Sequence, residues 1–143
     1  MCIRLLATMA IAALTACLLT QTASPAPAAK TSICGQIKHG PHATYTGMLT
    51  NTKVSGNTWT VFATGVTCSA AMKAAPPILK WWATAKIESS RTVAGFSCTK
   101  ESDGHGSAGS AGCTPLHGKP LANIELIMTG SMSTAQLKAL FGG

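Results

Sequence analysis

Charged side chains are scarce in this sequence. Only 10% of its 143 residues are charged and four are acidic, whereas 46% are hydrophobic. So few carboxylates leave little material for the paired-carboxylate chemistry of glycoside hydrolysis. Close C-x2-C pairs are absent, which argues against a structural zinc site. We therefore expect no metal, no cofactor and no catalytic residues.

Aromatic residues are also few, at 5% of the chain, and the basic residues are scattered rather than clustered. A nucleic-acid-binding domain typically combines a basic stripe with interleaved aromatic side chains, so we expect no nucleic-acid partner. The formal net charge is nevertheless +7. This surplus favours solubility and weak association with anionic polymers or lipid headgroups.

The N-terminal segment, residues 1–28, has the features of a secretory signal peptide. Arg4 supplies a positive charge, an apolar run extends to Leu19, and a proline- and alanine-rich stretch follows. The apolar run falls at or just below the roughly 18–20 residues that a bilayer requires, which argues against a permanent membrane span. We expect the protein to be secreted or attached to the cell envelope.

Two processing routes stay open for this leader. Residues 14–17, Leu-Thr-Ala-Cys, resemble a bacterial lipobox, in which Cys17 is lipidated and becomes the new N-terminus. Alternatively, cleavage after Ala28 releases the chain without an anchor. In the first case a lipid on Cys17 is the only expected membrane contact. Residues 29–32 are a predicted linker in either case.

Four cysteines remain beyond the leader: Cys34, Cys68, Cys98 and Cys113. In an oxidising compartment, an even number of cysteines in a small domain predicts disulfides, here two of them. Four cysteines allow three pairings, and the sequence does not choose among them. Each bridge contributes roughly 2–4 kcal/mol to stability.

Residues 33–143 are predicted to form a single α+β domain, with a small antiparallel sheet, helices packed on one face and two disulfides. The segment from Trp59 to Trp82 organises it, because an alternating strand passes through a glycine turn into an alanine-rich helix. We expect a strand over 44–54 to form a hairpin with the Trp59 strand, and Pro76-Pro77 to divide the helix in two.

The cysteine pattern resembles that of small secreted or lipid-anchored proteins of actinobacteria. In those proteins a cysteine begins a helix, a glycine-aromatic-x-cysteine motif follows, and a third cysteine lies in a neighbouring strand. The matching positions here are Gly65–Ala71, Gly95–Cys98 and Cys113. The resemblance covers Trp59 to Leu116, implies the fold and compartment described above, and implies no catalytic residues.

Trp81 and Trp82 are the candidate binding surface. Adjacent helical positions are about 100° apart, so both rings cannot point into one core, and one of them can offer a stacking face. Other candidates are weaker. The H-x-x-H of His39 and His42 lacks further ligands for a metal, and a triad that includes Asp103 would have to be held in a glycine-serine loop.

The sequence predicts a non-enzymatic extracellular domain, free or lipid-tethered, that binds a cell-wall component or another protein. The alternative is a secreted protease inhibitor with Lys100 or Lys119 as the contact residue. A small hydrolase is the third hypothesis, and it requires Asp103, His105 and a serine to converge.

Overall fold

The computed structural model describes residues 29–46, 53–119 and 121–141. The predicted signal peptide and Cys17 lie outside these residues. The described chain contains, in order, β1 Thr31–Ile37, β2 Ala43–Thr46, β3 Lys53–Gly56, β4 Trp59–Thr64, α1 Cys68–Thr84, β5 Ser90–Val93, β6 Phe96–Glu101, β7 Ser110–Pro115, β8 Asn123–Met128 and α2 Thr134–Phe141. The α+β class is confirmed. β1 begins inside the predicted linker.

Six of the strands form one antiparallel sheet, in the order β1-β4-β8-β7-β6-β5. β2 and β3 pair with each other in a separate two-stranded sheet. The predicted hairpin between a 44–54 strand and the Trp59 strand is therefore wrong. Both edges of β4 are occupied by β1 and β8, so no edge is left for β3.

The core lies between the sheet and α1. Trp59, Val61 and Ala63 point to this side, and each is at most 2% exposed. They meet the buried side of the helix and the inward residues of β8, which are Ile124, Leu126 and Met128. Trp59 fills the centre, and its ring nitrogen donates a hydrogen bond to the carbonyl of Pro41 at 2.9 Å.

Helix α1 is continuous over 17 residues, with both prolines inside it. The predicted break at Pro76-Pro77 is therefore wrong. Both proline side chains are exposed, so the carbonyl groups that lose a donor lie where water can replace it. The buried side of the helix holds it together, because Ala71, Ala74, Ala75, Ile78, Leu79 and Trp82 all pack into the core. Thr67 is the N-cap, and its hydroxyl accepts a bond from Ala70.

Strand β5, Ser90–Val93, is an edge strand of the large sheet. Ala94 and Gly95 join β5 to β6 with φ values of 51° and 84°. Two consecutive positive φ angles are characteristic of the tight turns that suit two-stranded hairpins. Three of the four residues of β5 are exposed, so its sequence carries little of the apolar alternation that indicates a strand.

The C-terminal helix α2 begins with a capping box formed by Ser133 and Gln136. The Ser133 amide donates to the Gln136 side chain at 2.8 Å, and the Gln136 amide donates to the Ser133 hydroxyl at 3.3 Å. Leu137 is fully buried but lies outside the core cluster that contains α1. The prediction that the helices share one face of the sheet is not confirmed. Neither described helix has the length and hydropathy of a membrane span.

Candidate functional site

The four cysteines that follow the leader form the two predicted disulfides. The first of these joins Cys34 to Cys68. The ladder between β1 and β4 shifts register between Ile33 and Gly35, which leaves Cys34 as the extra residue of a β-bulge. Gly35 has a φ of +154°, and the missing Cβ leaves room for the end of Met72 on α1. The bridge thus ties an edge strand to the first residue of the helix.

The second disulfide joins Cys98 to Cys113, which lie directly opposite each other on β6 and β7. Both sulfur-bearing side chains are buried in the core, at 0% and 1% exposure. This bridge therefore crosslinks the half of the sheet that lies farthest from β1. Two disulfides are typical of a protein that folds in an oxidising compartment.

Trp82, one member of the candidate binding pair, belongs to the core. Its side chain is 4% exposed and meets Trp59 edge to face, with ring centroids 4.6 Å apart. The indole nitrogen donates to the carbonyl of Ser110 at 2.9 Å, which satisfies its one polar group. Trp82 therefore fixes the helix to β7 and offers no face to a ligand.

Trp81, the other member, is half-buried and packs against the edge of the core. It borders the exposed side of α1, which we call the outer face of α1. The exposed residues of this face are Ser69, Ala70, Lys73, Pro76, Pro77, Lys80, Ala83 and Thr84. Of the predicted pair, only Trp81 is available to a ligand.

Lys100, a predicted protease contact, is engaged by the end of α1. It lies on the helix side of β6, and its ammonium donates to the carbonyls of Trp82 and Ala85 at 3.0 and 2.9 Å. The same ammonium lies 4.0 Å from the centre of the Trp82 ring. Burial lowers its pKa. The side chain therefore supplies donors and positive charge to the C-terminal end of α1.

On the opposite face of the sheet, two carboxylates converge over Gly112. Glu125 lies beside Gly112 on β8, and the Glu101 carboxylate reaches from β6 across the space that a side chain at residue 112 would fill. Ser110 donates to Glu101 at 3.1 Å. Burial, with a smaller contribution from the charge of Glu101, raises the pKa of Glu125.

Asp103 anchors the loop between β6 and β7. Its carboxylate accepts backbone N–H bonds from Thr46 at 2.9 Å, from His105 at 2.8 Å and from Ser107 at 3.0 Å. The bond from Thr46 is the main cause of its lowered pKa. The contact with His105 uses the backbone rather than the imidazole, so the carboxylate orients a loop and does not orient a general base.

The histidines of the H-x-x-H motif lie in the connection from β1 to β2. His39 is exposed, with a φ of 60°, and the His42 ring is 3.3 Å from the Ser55 hydroxyl. No group of three or more potential metal-ligating side chains occurs among the described residues.

Two features of these surfaces were not identified from the sequence. Lys73 and Lys80 are seven residues apart, a spacing that places them on one side of a helix only if the helix is continuous. The convergence of Glu101 and Glu125 depends on the order of the strands, for which no local pattern exists.

A search of protein-family models, curated proteins and solved structures finds no match to this chain.

Proposed function

We propose that this chain is an exported, non-enzymatic domain of the cell envelope that binds a wall polymer. Its leader, residues 1–28, is the predicted export signal, and lipidation at Cys17 is the alternative to free secretion. The two disulfides support an oxidising destination. The arrangement of the cysteines, at the start of α1 and in adjacent strands, is the basis for proposing kinship with the small exported actinobacterial proteins.

The observation that carries the proposal is the fixation of α1 at both ends with its outer face turned to solvent. The Cys34–Cys68 bridge and the Thr67 cap hold the beginning, and Lys100 holds the end. A rigid surface loses little conformational entropy when it binds, so more of the contact energy appears as affinity. Trp81, at the border of this face, supplies a ring for stacking on a sugar.

Cosedimentation of the oxidised, exported protein with purified walls of the producing organism tests this function. We expect the wild-type protein to bind, and Trp81→Leu, which keeps an apolar side chain at the core edge, to bind about fivefold more weakly, as the loss of roughly 1 kcal/mol of aromatic contact implies. Leu140→Ala, at a position that is 48% exposed on α2, is the matched control and should bind like wild type.

Absence of wall binding by the wild-type protein would contradict the proposal. Equal binding by the Trp81 variant would show that the Trp81 ring does not contribute to binding. If protease treatment of the walls abolished binding, the ligand would be an envelope protein rather than a wall polymer.

A secreted protease inhibitor is the second candidate function. It is favoured by the exposed stretch Leu116–Lys119, which directly follows the strand that carries Cys113. Lys119 is the remaining contact residue, because Lys100 is engaged with the helix end. Inhibition assays against trypsin-like and subtilisin-like proteases decide it, and complete inactivity at micromolar protein would end this candidate.

A further inference from the structure

Three exposed basic residues and two carboxylates lie on opposite sides of the large sheet. Lys73 and Lys80 lie on the outer face of α1, and α1 contacts β1, β4 and β5 on one side. Arg91 on β5 is directly opposite Cys98, a core residue, so it shares the helix side of the sheet and is exposed there. Glu101 and Glu125 occupy the opposite side.

The two lysines of α1 form a row. Seven residues are almost two full turns of helix, so the two Cα atoms lie about 10 Å apart on one side, at 1.5 Å of rise per residue. No acidic residue lies in α1, and Glu88 is the only acidic residue between Cys68 and Lys100. The charge of this row is therefore not neutralised by neighbours in the helix.

The apolar content of this face distinguishes a polymer from a membrane. The large exposed hydrophobic side chains of the described chain are Ile87, Leu116, Leu121 and Leu140, and none of them belongs to α1. A helix that lies in a membrane interface buries a broad apolar face of large side chains, whereas this face presents small residues, prolines and lysines. Its charge is suited to a polymer that remains in water.

We propose that the outer face of α1, together with Arg91, docks a linear polyanion of the envelope through Lys73, Lys80 and Arg91. This inference rests on the proposed function and names the ligand class for the same surface. Attraction is electrostatic, so it steers the polymer to the helix side and weakens as salt increases. The carboxylates on the far side of the sheet favour one orientation of the protein on the polymer.

Binding of long-chain inorganic polyphosphate to the oxidised, exported protein is the test. The triple variant Lys73→Gln/Lys80→Gln/Arg91→Gln should bind about a hundredfold more weakly than wild type, since each of the three basic residues near an anionic surface contributes about 1 kcal/mol. It should also show a shallower dependence of affinity on salt. The control Lys38→Gln/Lys53→Gln/Lys119→Gln removes the same charge elsewhere and should stay within about twofold, as expected for screened distant charges.

Equal losses in the two triple variants would overturn the proposal, because net charge alone would then explain binding. Stronger binding to vesicles of one-quarter phosphatidylglycerol than to polyphosphate would also overturn it, in favour of a lipid surface. If walls bind but polyphosphate does not, the polyanion inference fails while the proposed wall-binding function stands. Circular dichroism is used to check that the variants, which are all at exposed positions, remain folded.

Discussion

Lys100 shows, at the residue scale, how a charged side chain on the core side of a strand is accommodated. Its ammonium reaches the carbonyls at the end of α1 and the Trp82 ring. A charged group that is partly withdrawn from water needs such partners, because its burial without them is costly. The lysine that the sequence suggested as a protease contact thus binds the C-terminal end of α1.

Lys100→Met should lower the free energy of unfolding by about 1–2 kcal/mol, because the carbonyls of Trp82 and Ala85 lose a charged donor and the ring loses a cation. Urea unfolding measures this change. Lys119→Met, at an exposed loop position, is the control and should change stability by no more than about 0.5 kcal/mol. Equal effects of the two substitutions would show that the helix end does not need this donor.

The carboxylates over Gly112 predict a dependence of stability on pH. Burial and the charge of Glu101 raise the pKa of Glu125 in the folded state. The folded chain therefore holds this proton more tightly, and the resulting stabilisation is fully present below the unfolded pKa of about 4.3. It is lost as the pH rises through the folded pKa.

We therefore expect Glu125→Gln, which cannot ionise, to be more stable than wild type at pH 7, with the difference shrinking as the pH falls towards about 4, the unfolded pKa of a glutamate. Thermal unfolding across this range measures the difference. Glu88→Gln, at an exposed position, is the control. A difference that grows on acidification would mean that the Glu125 carboxylate is stabilised, not strained, by its surroundings.

At the scale of elements, α1 shows packing overriding local propensity. Each interior proline costs a helix roughly 3 kcal/mol, and this cost motivated the expected break at Pro76-Pro77. Burial of a large apolar side chain stabilises by about 1.5–3 kcal/mol, and Ile78, Leu79 and Trp82 are buried immediately after the prolines. The disulfide at Cys68 and the Lys100 ammonium at the other end of the helix add further stabilisation, which sequence periodicity does not reveal.

Pro77→Ala should therefore raise the free energy of unfolding by about 2 kcal/mol. The gain is a restored helix hydrogen bond and a relieved steric clash, reduced by roughly 0.4–1 kcal/mol because alanine gives the unfolded chain more freedom. Lys80→Ala, on the same exposed face, is the control with little expected change. Destabilisation by Pro77→Ala would indicate that the proline makes a stabilising contact.

The elements that the sequence predicted are those with local signals. The Trp59 strand and the alanine-rich helix that follows it are both encoded by residues close in the chain. The separate pairing of β2 with β3 depends on which sheet edges are free, which is a property of the whole fold. At the candidate site, the cysteine count predicted two bridges, but their pairing depends on which strands are neighbours and on where α1 begins.

For the whole molecule, the Cys34–Cys68 disulfide connects an edge of the sheet to the helix. The Cys34–Cys68 bridge closes a loop with a sequence separation of 34 residues and fastens the edge strand β1 to α1. Its removal frees the unfolded chain and releases the helix end that carries the proposed binding face. A domain of this size has roughly 5–15 kcal/mol of stability in total, so one bridge is a substantial share.

Cys34→Ser/Cys68→Ser should lower the free energy of unfolding by about 3–4 kcal/mol, as loop-closure entropy implies for a loop of this length. Denaturant unfolding gives the value. The control is the single substitution Ser69→Ala, at an exposed position beside Cys68. If the double variant were as stable as this control, the bridge would contribute nothing to the fold.

The central claim is that the chain leaves the cytosol and is then locked by sulfur–sulfur bonds. Non-reducing peptide mapping with intact mass, on protein from the producing organism, tests it most directly. The predicted result is a leader-free chain, beginning at an acylated Cys17 or at Ala29, with crosslinked peptides that join Cys34 to Cys68 and Cys98 to Cys113. A folded protein that keeps residues 1–28 and carries four free thiols at these positions would contradict the account.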